Sequence, residues 1–390
     1  QKRRKLDLRF SFAIQRKEDV ISVGNKGLSL YSCLKNGLEC QTEVKVLHEG
    51  GELVADKEGL QLKNADNCTL LVFIATSYEM DAAQKFRGIP AEERLKQQMA
   101  KTAALPYAKL LKNHLSDYQS LYQRQELNIA HTADSLDTLP TARRLEDYRK
   151  SHTDNGLEEL VFRFGRYLMI QTSRPGSLPA GLQGIWNGMV AAPWGNDYHS
   201  NINFQMVYWL PEVGNLSECH LPMIDYLKAM RMPFQENTRE YLKAIGESTD
   251  EIENNEGWIV YTSHNPFGAG GWQVNLPGAA WYGLHLWEHY AFTNDTIYLR
   301  QHAYPMMKEL CHYWQKHLKA LGEGGEGFCS NYLPVDISKY PELKRVKAGT
   351  LVVPAGWSPE HGPRGEDGVA HDQEIVAELF QNTIKAAHIL

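Results

Sequence analysis

The chain begins with a regular alternation of apolar and polar side chains. Apolar residues fall at every second position, at Leu6, Leu8, Phe10, Phe12 and Ile14. This is the period of a strand with one buried face. Short apolar runs separated by Gly-rich or Asn/Asp-rich turns continue to about residue 78. The pattern predicts the later strands of an antiparallel β-sandwich over residues 1–80.

Beyond residue 81 the sequence becomes rich in Lys, Glu, Gln, Ala and Leu. Residues 90–127 predict one connecting helix, so residues 81–128 are expected to form a helical linker. Farther along, apolar side chains recur at three- and four-residue spacing, which places them on one helix face. The first such face contains Leu157, Leu160, Val161, Phe164 and Leu168. Two more occur within residues 306–314 and 375–387.

Long loops rich in Gly, Pro, Trp and Asn separate these predicted helices, over residues 173–194, 261–278 and 322–372. Loops of this length in a compact domain are usually functional. The full 390 residues exceed the usual size of a single domain. The last helical pattern reaches Leu390 without a stop signal, so we expect a helical domain over residues 129–390 that continues beyond this chain.

Charge and cysteine content exclude several classes of protein. The formal net charge is -6, which gives no reason to expect a nucleic-acid partner. No apolar run approaches the roughly 20 residues that a membrane-spanning helix needs, so membrane insertion is not expected. The six cysteines contain no C-x-x-C pair, which argues against a thiolate zinc site and a disulfide scaffold. Nothing in the composition specifies an oligomeric state.

The predicted loops carry tryptophans, histidines, asparagines and one conspicuous carboxylate, Glu360. Prolines and glycines restrict the backbone around this glutamate, and Trp357 nearby would provide the low-polarity wall that suits a general acid. An exposed turn glutamate is the alternative on composition alone. Aromatic residues in the loops and helices, including Trp194 and Trp281, are either core residues or stacking surfaces for a sugar ring.

A second motif raises the possibility of a zinc peptidase. His285-Leu286-Trp287-Glu288-His289 matches the pattern H-x-x-E-H, in which the two histidines share a helix face. The intervening residues are apolar and aromatic, and no recognisable motif places a third ligand. Core histidines on an aromatic-rich helix are therefore the preferred interpretation, and zinc is the alternative.

Several long motifs in order resemble glycoside hydrolase family 95, whose members are α-L-fucosidases with some α-L-galactosidases. The resemblance covers most of residues 110–390. It includes the runs SRPGSLPAGLQGIWN (173–187), NINFQM (201–206), NLSEC (215–219), HLWEHY (285–290) and SPE (358–360). The implied fold is an N-terminal β-sandwich, a helical linker and an (α/α)6 barrel that carries the site, of which this chain would contain part.

The resemblance also implies catalytic roles. Glu360 would be the general acid, and Asn203 would activate the attacking water together with a downstream aspartate, while Asn201 helps to hold that water. On an extended segment the two asparagines would point to the same side; the alternative is that both cap the helix beginning near Phe204. The family is inverting, which requires room for a water between sugar and base.

Substrate contacts are assigned by proximity to the matched motifs. His199, His264, Trp194 and Trp281 are expected to contact the sugar, and no cofactor or metal is implied. The chain departs from the family pattern at two places. Nothing corresponds to the family's Gln-Ile-Asp-Gly-Asn-Phe-Gly segment with the water-activating aspartate, and Val207 stands where an asparagine is usual.

The leading hypothesis is an inverting exo-acting α-L-fucosidase acting on oligosaccharide or polysaccharide ends. An α-L-galactosidase acting on plant hemicellulose side chains is the close alternative, since the two sugars differ only by the C6 hydroxyl and an apolar pocket discriminates an added hydroxyl weakly. A non-catalytic sugar-binding protein is the alternative from a different class. From the resemblance alone, the location would be periplasmic, at the cell surface or secreted.

Overall fold

The computed structural model describes residues 5–129, 134–250, 257–331, 333–362 and 364–390. The chain divides into two compact units, Gln1–Ser120 and Leu121–Leu390. The first unit is β-rich and the second mostly helical, as expected of a multi-domain β plus α protein. Among the described helices, none combines the length and apolarity that crossing a bilayer requires.

Two antiparallel sheets form the first unit. One has the strand order β2-β3-β4-β7 and the other β1-β6-β5. The strands are β1 (Leu6–Phe10), β2 (Asp19–Gly24), β3 (Gly27–Cys33), β4 (Glu39–Glu49), β5 (Glu52–Asp56), β6 (Gly59–Ala65) and β7 (Asn67–Thr76). The predicted β-rich region is confirmed, although the first strand ends at Phe10 and does not reach Ile14.

The two sheets share one apolar core. Leu28, Val44 and Val46 come from the four-stranded sheet and Leu60 from the three-stranded sheet, and Phe10 packs against them. Burying each such side chain stabilises the fold by roughly 1.5–3 kcal/mol. The period of two along these strands therefore gives each sheet an apolar face, and the two apolar faces pack together.

The predicted connecting helix is two helices, α1 (Ala91–Thr102) and α2 (Tyr107–Tyr122). The prediction of one helix over residues 90–127 is therefore wrong. The break lies just before Pro106, which lacks an amide hydrogen and pushes the preceding residue away from helical geometry. Within the first unit, α1 buries Ala91 and Leu95.

Helices dominate the second unit. They are α3 (Thr141–Ser151), α4 (Asn155–Thr172), α5 (Asn203–Val207), α6 (Leu210–Val213), α7 (Leu221–Ile245), α8 (Gly278–Thr293), α9 (Thr296–Tyr298), α10 (Tyr304–His317) and α11 (Ala370–Ile389). The apolar face predicted within residues 306–314 is confirmed, since its Met, Leu, Cys and Trp side chains are all buried in α10.

The face predicted on α4 is wrong except at Leu157, which is buried. Val161 and Phe164 are 60% and 56% exposed, whereas Met169 and Ile170 are buried on the opposite side. Arg166 lies on that buried side at 1% exposure. Its guanidinium donates to the carbonyl oxygens of Leu121, Tyr122, Gln125 and Gly214 at 2.7–3.3 Å. A buried cation with these partners fixes which side of the helix faces inward, and a hydrophobic pattern alone does not contain that information.

Two of the predicted loops contain strands. Residues 261–278 include most of a hairpin made by β9 (Val260–His264) and β10 (Gly270–Asn275), to which β8 (Tyr198–His199) adds. Residues 319–366 include β11 (Lys319–Leu321), β12 (Cys329–Ser330), β13 (Leu333–Pro334), β14 (Thr350–Val352), β15 (Gly356–Trp357) and β16 (Arg364–Glu366). Strands of two or three residues are too short to show a period of two.

Replacing the buried arginine tests its structural role. Arg166→Lys should lower the free energy of unfolding by about 3 kcal/mol, because one ammonium group cannot reach all four carbonyl oxygens and leaves buried acceptors unpaired. Chemical denaturation of the native protein measures the change. Arg163→Lys on the same helix, with a partly exposed guanidinium, is the control and should change it by less than about 1 kcal/mol. Equal effects of the two variants would contradict this role.

Candidate active site

A cleft of ≈ 690 Å³ in the second unit brings together residues from five separate segments. Its polar lining residues are Gln183, Asp197, His199, Asn203, Ser263 and Glu360, and its apolar lining residues are Leu182, Trp194 and Trp272. Four residues selected from the sequence, namely Trp194, His199, Asn203 and Glu360, are therefore neighbours in one cavity.

Strand pairing forms the polar wall of this cleft. His199 in β8 pairs with Ser263 in β9, which sets their side chains beside each other. The Nδ1 atom of His199 lies 2.5 Å from Oδ1 of Asp197, and the Ser263 hydroxyl donates to Oδ2 of the same carboxylate. Asp197 therefore lies next to both side chains and forms its hydrogen bond with the serine.

The turn after β8 delivers Asn203 to the cleft. The carbonyl oxygen of Ser200 accepts from the side-chain amides of Gln205 at 2.6 Å and Asn275 at 2.8 Å, and both amides are buried. The backbone amide of Ser200 donates to the carbonyl oxygen of Thr262 at 2.7 Å. With the turn held on both sides, α5 begins at Asn203, and the exposed amide of Asn203 lines the cleft.

Asn201 and Asn203 occupy different environments. Residues 200–202 form a turn, so the expectation of an extended segment with both amides on one side is wrong. Asn201 is 3% exposed, and its Oδ1 atom has no hydrogen-bond partner among the described residues. The capping alternative fails as well, because Ile202 is the N-cap residue of α5 and no side chain bonds there.

Glu360 lies at the exposed tip of the loop between β15 and β16. The backbone amide of Gly362 donates to the carbonyl oxygen of Ser358 at 2.9 Å, which closes the turn around the glutamate. At the base of the loop, the backbone amide of Trp357 donates to Asp372 at 3.0 Å, and Arg364 covers the Trp357 ring at 4.4 Å. A short, well-anchored loop thus presents the carboxylate to the cleft.

Two tryptophans provide the exposed apolar surface of the cleft. Trp194 is 73% exposed and Trp272 is 62% exposed. Their backbone φ angles are 49° and 67°, which lie in the left-handed region that bulky residues rarely adopt. Such a conformation costs of order 1–3 kcal/mol per residue and occurs preferentially at binding and catalytic sites.

The structure does not bring His264 and Trp281 to the cleft. His264 is 1% exposed, and its ring nitrogens contact the hydroxyls of Tyr226 and Tyr282 at 2.8 and 2.7 Å. Burial lowers the pKa of His264 to about 3, so the ring is neutral. Trp281 lies on α8 with its ring 5.3 Å from that of His371. These positions support structural roles and do not support the expected sugar contacts.

Sequence reasoning missed the carboxylate and the hydroxyl of the polar wall. Asp197 precedes His199 by two positions, a spacing that places both side chains on the same side of an extended segment. That spacing was a usable signal for Asp197. Ser263 had no local signal, because its place in the cleft depends on the pairing of β8 with β9. Gln183 and Leu182 lie within the matched run 173–187 and could have been chosen from it.

A buried cluster in the second unit contains the histidines of the H-x-x-E-H motif. The Oε1 atom of Glu212 lies 2.8 Å from Nδ1 of His220 and 2.6 Å from Nδ1 of His289. His285 contacts the other ring nitrogen of His220 at 3.1 Å. Glu212, His220 and His289 are close enough to bind one metal ion. Neutral histidines that each carry a proton on Nδ1 satisfy the same contacts as hydrogen bonds, so the donor set needs no ion to be complete.

A family model described as "Glycosyl hydrolase family 95 catalytic domain" matches residues 106–390. Among curated proteins, "Probable alpha-fucosidase A" of Aspergillus niger is 31% identical over 330 residues, which cover 81% of this chain and 38% of that protein. "Alpha-L-fucosidase 2" of Arabidopsis thaliana is 29% identical over 382 residues, or 94% of this chain and 40% of that protein. The chain thus spans about two fifths of these relatives.

One solved structure shares the fold. It is named "Putative kojibiose phosphorylase from human microbiome", and it superimposes on 98% of this chain with a TM-score of 0.54. The match covers 45% of that protein at 12% sequence identity, so it concerns the fold alone.

The buried cluster generates a prediction for stability in acid. Burial alone would raise the pKa of Glu212, but the hydrogen bonds from His220, His289 and Ser217 outweigh it and lower the pKa to about 2. The ionised carboxylate therefore adds stability that is present above pH 4.5, its ordinary pKa, and is lost as the pH falls toward 2. Its contribution is about 3 kcal/mol.

Urea unfolding of the native protein at several pH values below 4.5 measures this loss. Glu212→Gln should flatten the fall in unfolding free energy over that interval, since the amide does not titrate. The exposed Glu374→Gln is the matched control and should leave the slope unchanged. The assignment would be contradicted if the Glu212 variant retained the slope of the native protein.

Proposed function

Because the chain belongs to glycosyl hydrolase family 95, we propose that it contributes the acid and water-binding parts of a site that releases terminal α-L-fucose from oligosaccharides. The observation that carries the proposal is the presence of Glu360 and Asn203 in one cleft with two exposed tryptophans. The two relatives are both named as α-fucosidases, which favours fucose as the sugar.

Glu360 is the proposed general acid. A carboxylic acid at the tip of an anchored loop can donate its proton to the glycosidic oxygen while the bond breaks, which assists the departure of a poor leaving group. Its neighbours support this role, since the loop is closed by backbone hydrogen bonding and its base is fastened to Asp372. The glutamate side chain remains exposed and accessible to a substrate in the cleft.

Asn203 and Asn201 are the proposed water-binding residues of an inverting mechanism. Asn203 lines the cleft, and Asn201 lies two residues before it with an amide oxygen that lacks a hydrogen-bond partner among the described residues. An amide is a very poor base, so a carboxylate must polarise it. The family resemblance assigns that carboxylate to an aspartate in a segment with no counterpart in residues 1–390.

The remaining cleft residues fit the two faces of a sugar. His199 can offer a ring nitrogen to a hydroxyl, and Ser263 provides a second polar group beside it. Trp194 and Trp272 offer large apolar surfaces of the kind that dominate binding pockets. In this proposal the polar wall binds the hydroxyl groups of the sugar, and the tryptophans pack against the C–H face of the sugar ring.

The proposed architecture follows the same resemblance. We propose that residues 129–390 form part of an (α/α)6 barrel, with the cleft at the end where the β8–β9 pairing and the β15–β16 loop meet. The alternation of long helices with loops that carry site residues supports this arrangement. A periplasmic, surface or secreted location is proposed on the resemblance only.

Substrates with different leaving groups test the acid directly. Glu360→Gln should reduce kcat/KM for a fucosyl disaccharide by about 10²- to 10⁴-fold, the usual contribution of general acid catalysis. The same variant should lose far less activity on α-L-fucosyl fluoride, because fluoride departs without a proton. Steady-state kinetics of the native protein and of Glu360→Gln on both substrates measures the loss of kcat/KM for each substrate.

Two control variants complete this experiment. Asn203→Ala should slow both substrates alike, since water attacks in both reactions, whereas the exposed Glu342→Gln should slow neither. Equal losses on the two substrates in Glu360→Gln would rule out its acid role.

Faster release of L-galactose than of L-fucose would establish the α-L-galactosidase alternative. Sugar binding that is unchanged in Glu360→Gln, with no turnover by either form, would establish a binding protein.

A further inference from the structure

A second cavity adjoins the loop that carries Glu360. It has a volume of ≈ 350 Å³ and lies within the second unit. Trp357 and Arg364, at the two ends of that loop, line this cavity, whereas Glu360 at the tip lines the cleft. On β10, Trp272 lines the cleft and the next residue, Gln273, lines the cavity. The loop and the strand therefore contribute to both cavities.

An aromatic pair lies between the cavity and the cleft. The ring of Trp357 stands perpendicular to that of Trp272, and the two ring centres are 6.2 Å apart. One of these rings lines the cavity and the other lines the cleft. A chain of a few sugar units can therefore place its terminal unit in the cleft and a following unit in the cavity.

The lining of the cavity combines a cation with an aromatic face and neutral polar groups. The guanidinium of Arg364 lies 4.4 Å from the centre of the Trp357 ring. Arg364 is exposed, and it forms no ion pair with any residue that the structure describes. Its planar fork of donors matches the geometry of a carboxylate. Gln273, Asn331 and Tyr241 add amide and hydroxyl groups of the kind that bind sugar hydroxyls.

The cavity also contains one acidic side chain, Asp372, whose charge is already compensated. Asp372 is 1% exposed. Its Oδ1 atom lies 2.6 Å from Nδ1 of His371, and its Oδ2 atom accepts from the backbone amide of Trp357 at 3.0 Å. Of the described charged residues that line the cavity, Arg364 is the exposed one. A ligand that enters the cavity therefore meets a positive charge.

We propose that this cavity binds a sugar unit that carries a carboxylate, namely a hexuronic acid, and that Arg364 recognises the carboxylate. The volume falls within the range of small-molecule sites. Trp357 adds an apolar surface for the sugar ring, and the neutral polar residues are available to its hydroxyl groups. The ligand class is an acidic sugar because a neutral one would leave the arginine without an anionic partner.

The inference rests on the proposed function in one respect, since it makes the acidic sugar a part of the glycan whose terminal unit occupies the cleft. In that function Glu360 protonates the glycosidic oxygen, so the leaving portion of the substrate lies on the side of the Glu360 loop. The cavity is lined by the two ends of the same loop. The proposed substrate class is therefore a glycan in which an acidic sugar lies near the terminal L-fucose.

Binding of free sugars tests the cavity without relying on turnover. Protein-observed NMR titration of the native protein should show D-glucuronate binding about tenfold more tightly than D-glucose, because its carboxylate forms charge-assisted hydrogen bonds with Arg364. Acetate should bind more weakly than glucuronate, since it lacks the ring. Arg364→Gln should reduce the preference for glucuronate over glucose to near unity.

Arg345→Gln removes another exposed arginine of the same unit and is the matched control, which should keep the preference. Gln273→Glu provides a second test, because the added negative charge should weaken glucuronate binding relative to glucose. The proposal would be overturned by equal affinity of the native protein for the two sugars or by acetate binding as tightly as glucuronate. A preference that persists in Arg364→Gln and Gln273→Glu would overturn it as well.

Competition with L-fucose locates the acidic sugar. Saturating L-fucose, which the proposed function places in the cleft, should leave the affinity for glucuronate unchanged. Displacement of glucuronate by L-fucose would put both sugars in the cleft and overturn the assignment to the second cavity.

Turnover measured in parallel separates this inference from the proposed function. The kcat/KM for an α-L-fucosyl disaccharide should be higher when the leaving sugar is glucuronic acid than when it is glucose, and Arg364→Gln should remove this difference. Hydrolysis of both disaccharides at equal kcat/KM would contradict the inference and leave the proposed function intact. Glucuronate binding that depends on Arg364, in a protein that hydrolyses neither disaccharide, would support the cavity and contradict the hydrolase.

Discussion

The carbonyl oxygen of Ser200 accepts two buried amide donors, and the rest of the candidate site depends on this interaction. Gln205 and Asn275 donate to that oxygen from different segments. Because Asn275 is the last residue of β10, the turn between β8 and α5 is fastened to that strand. Leaving either amide unpaired in this interior would cost about 1–3 kcal/mol. The turn consequently has one conformation, in which His199 before it and Asn203 after it face the same cleft.

Buried polar groups recur throughout the second unit and join its helices to neighbouring segments. Arg166 joins α4 to the carbonyl oxygens of residues 121–125 and 214, while Glu212 joins α6 to α7 and α8 through His220 and His289. Tyr208 stacks on His220, and its hydroxyl is hydrogen-bonded to that of Ser173, the first residue of the matched run 173–187. Four cleft residues, Trp194, Asn203, Trp272 and Glu360, remain exposed and accessible to a ligand.

Sequence patterns predicted the elements whose side chains follow a long regular period. The strands of the first unit and the buried face of α10 are of this kind. The pattern failed on α4, where a buried cation reverses the expected orientation, and over residues 319–366, where strands of two or three residues carry no period. Within the site, resemblance to a family selected Glu360, Asn203, His199 and Trp194, which the structure places in one cavity.

The error at His264 arose from side-chain alternation along a strand that the sequence did not reveal. His264 was chosen for its chemistry, but neighbouring residues of a strand point to opposite sides. Its neighbour Ser263 therefore reaches the cleft, and His264 enters the aromatic core with Tyr226 and Tyr282. Asp197 was overlooked although its two-residue spacing from His199 was a usable signal, whereas the position of Ser263 depends on the pairing of β8 with β9.

The central claim is that Glu360 and the asparagines flank one sugar from opposite sides and hydrolyse its linkage with inversion. Time-resolved proton NMR of the native protein with 2′-fucosyllactose tests this claim most directly. The account predicts that β-L-fucose appears first and that the α anomer grows in later by mutarotation. Initial release of α-L-fucose would mean retention and would contradict the assigned roles, and a folded protein that releases no fucose would contradict the proposed hydrolysis.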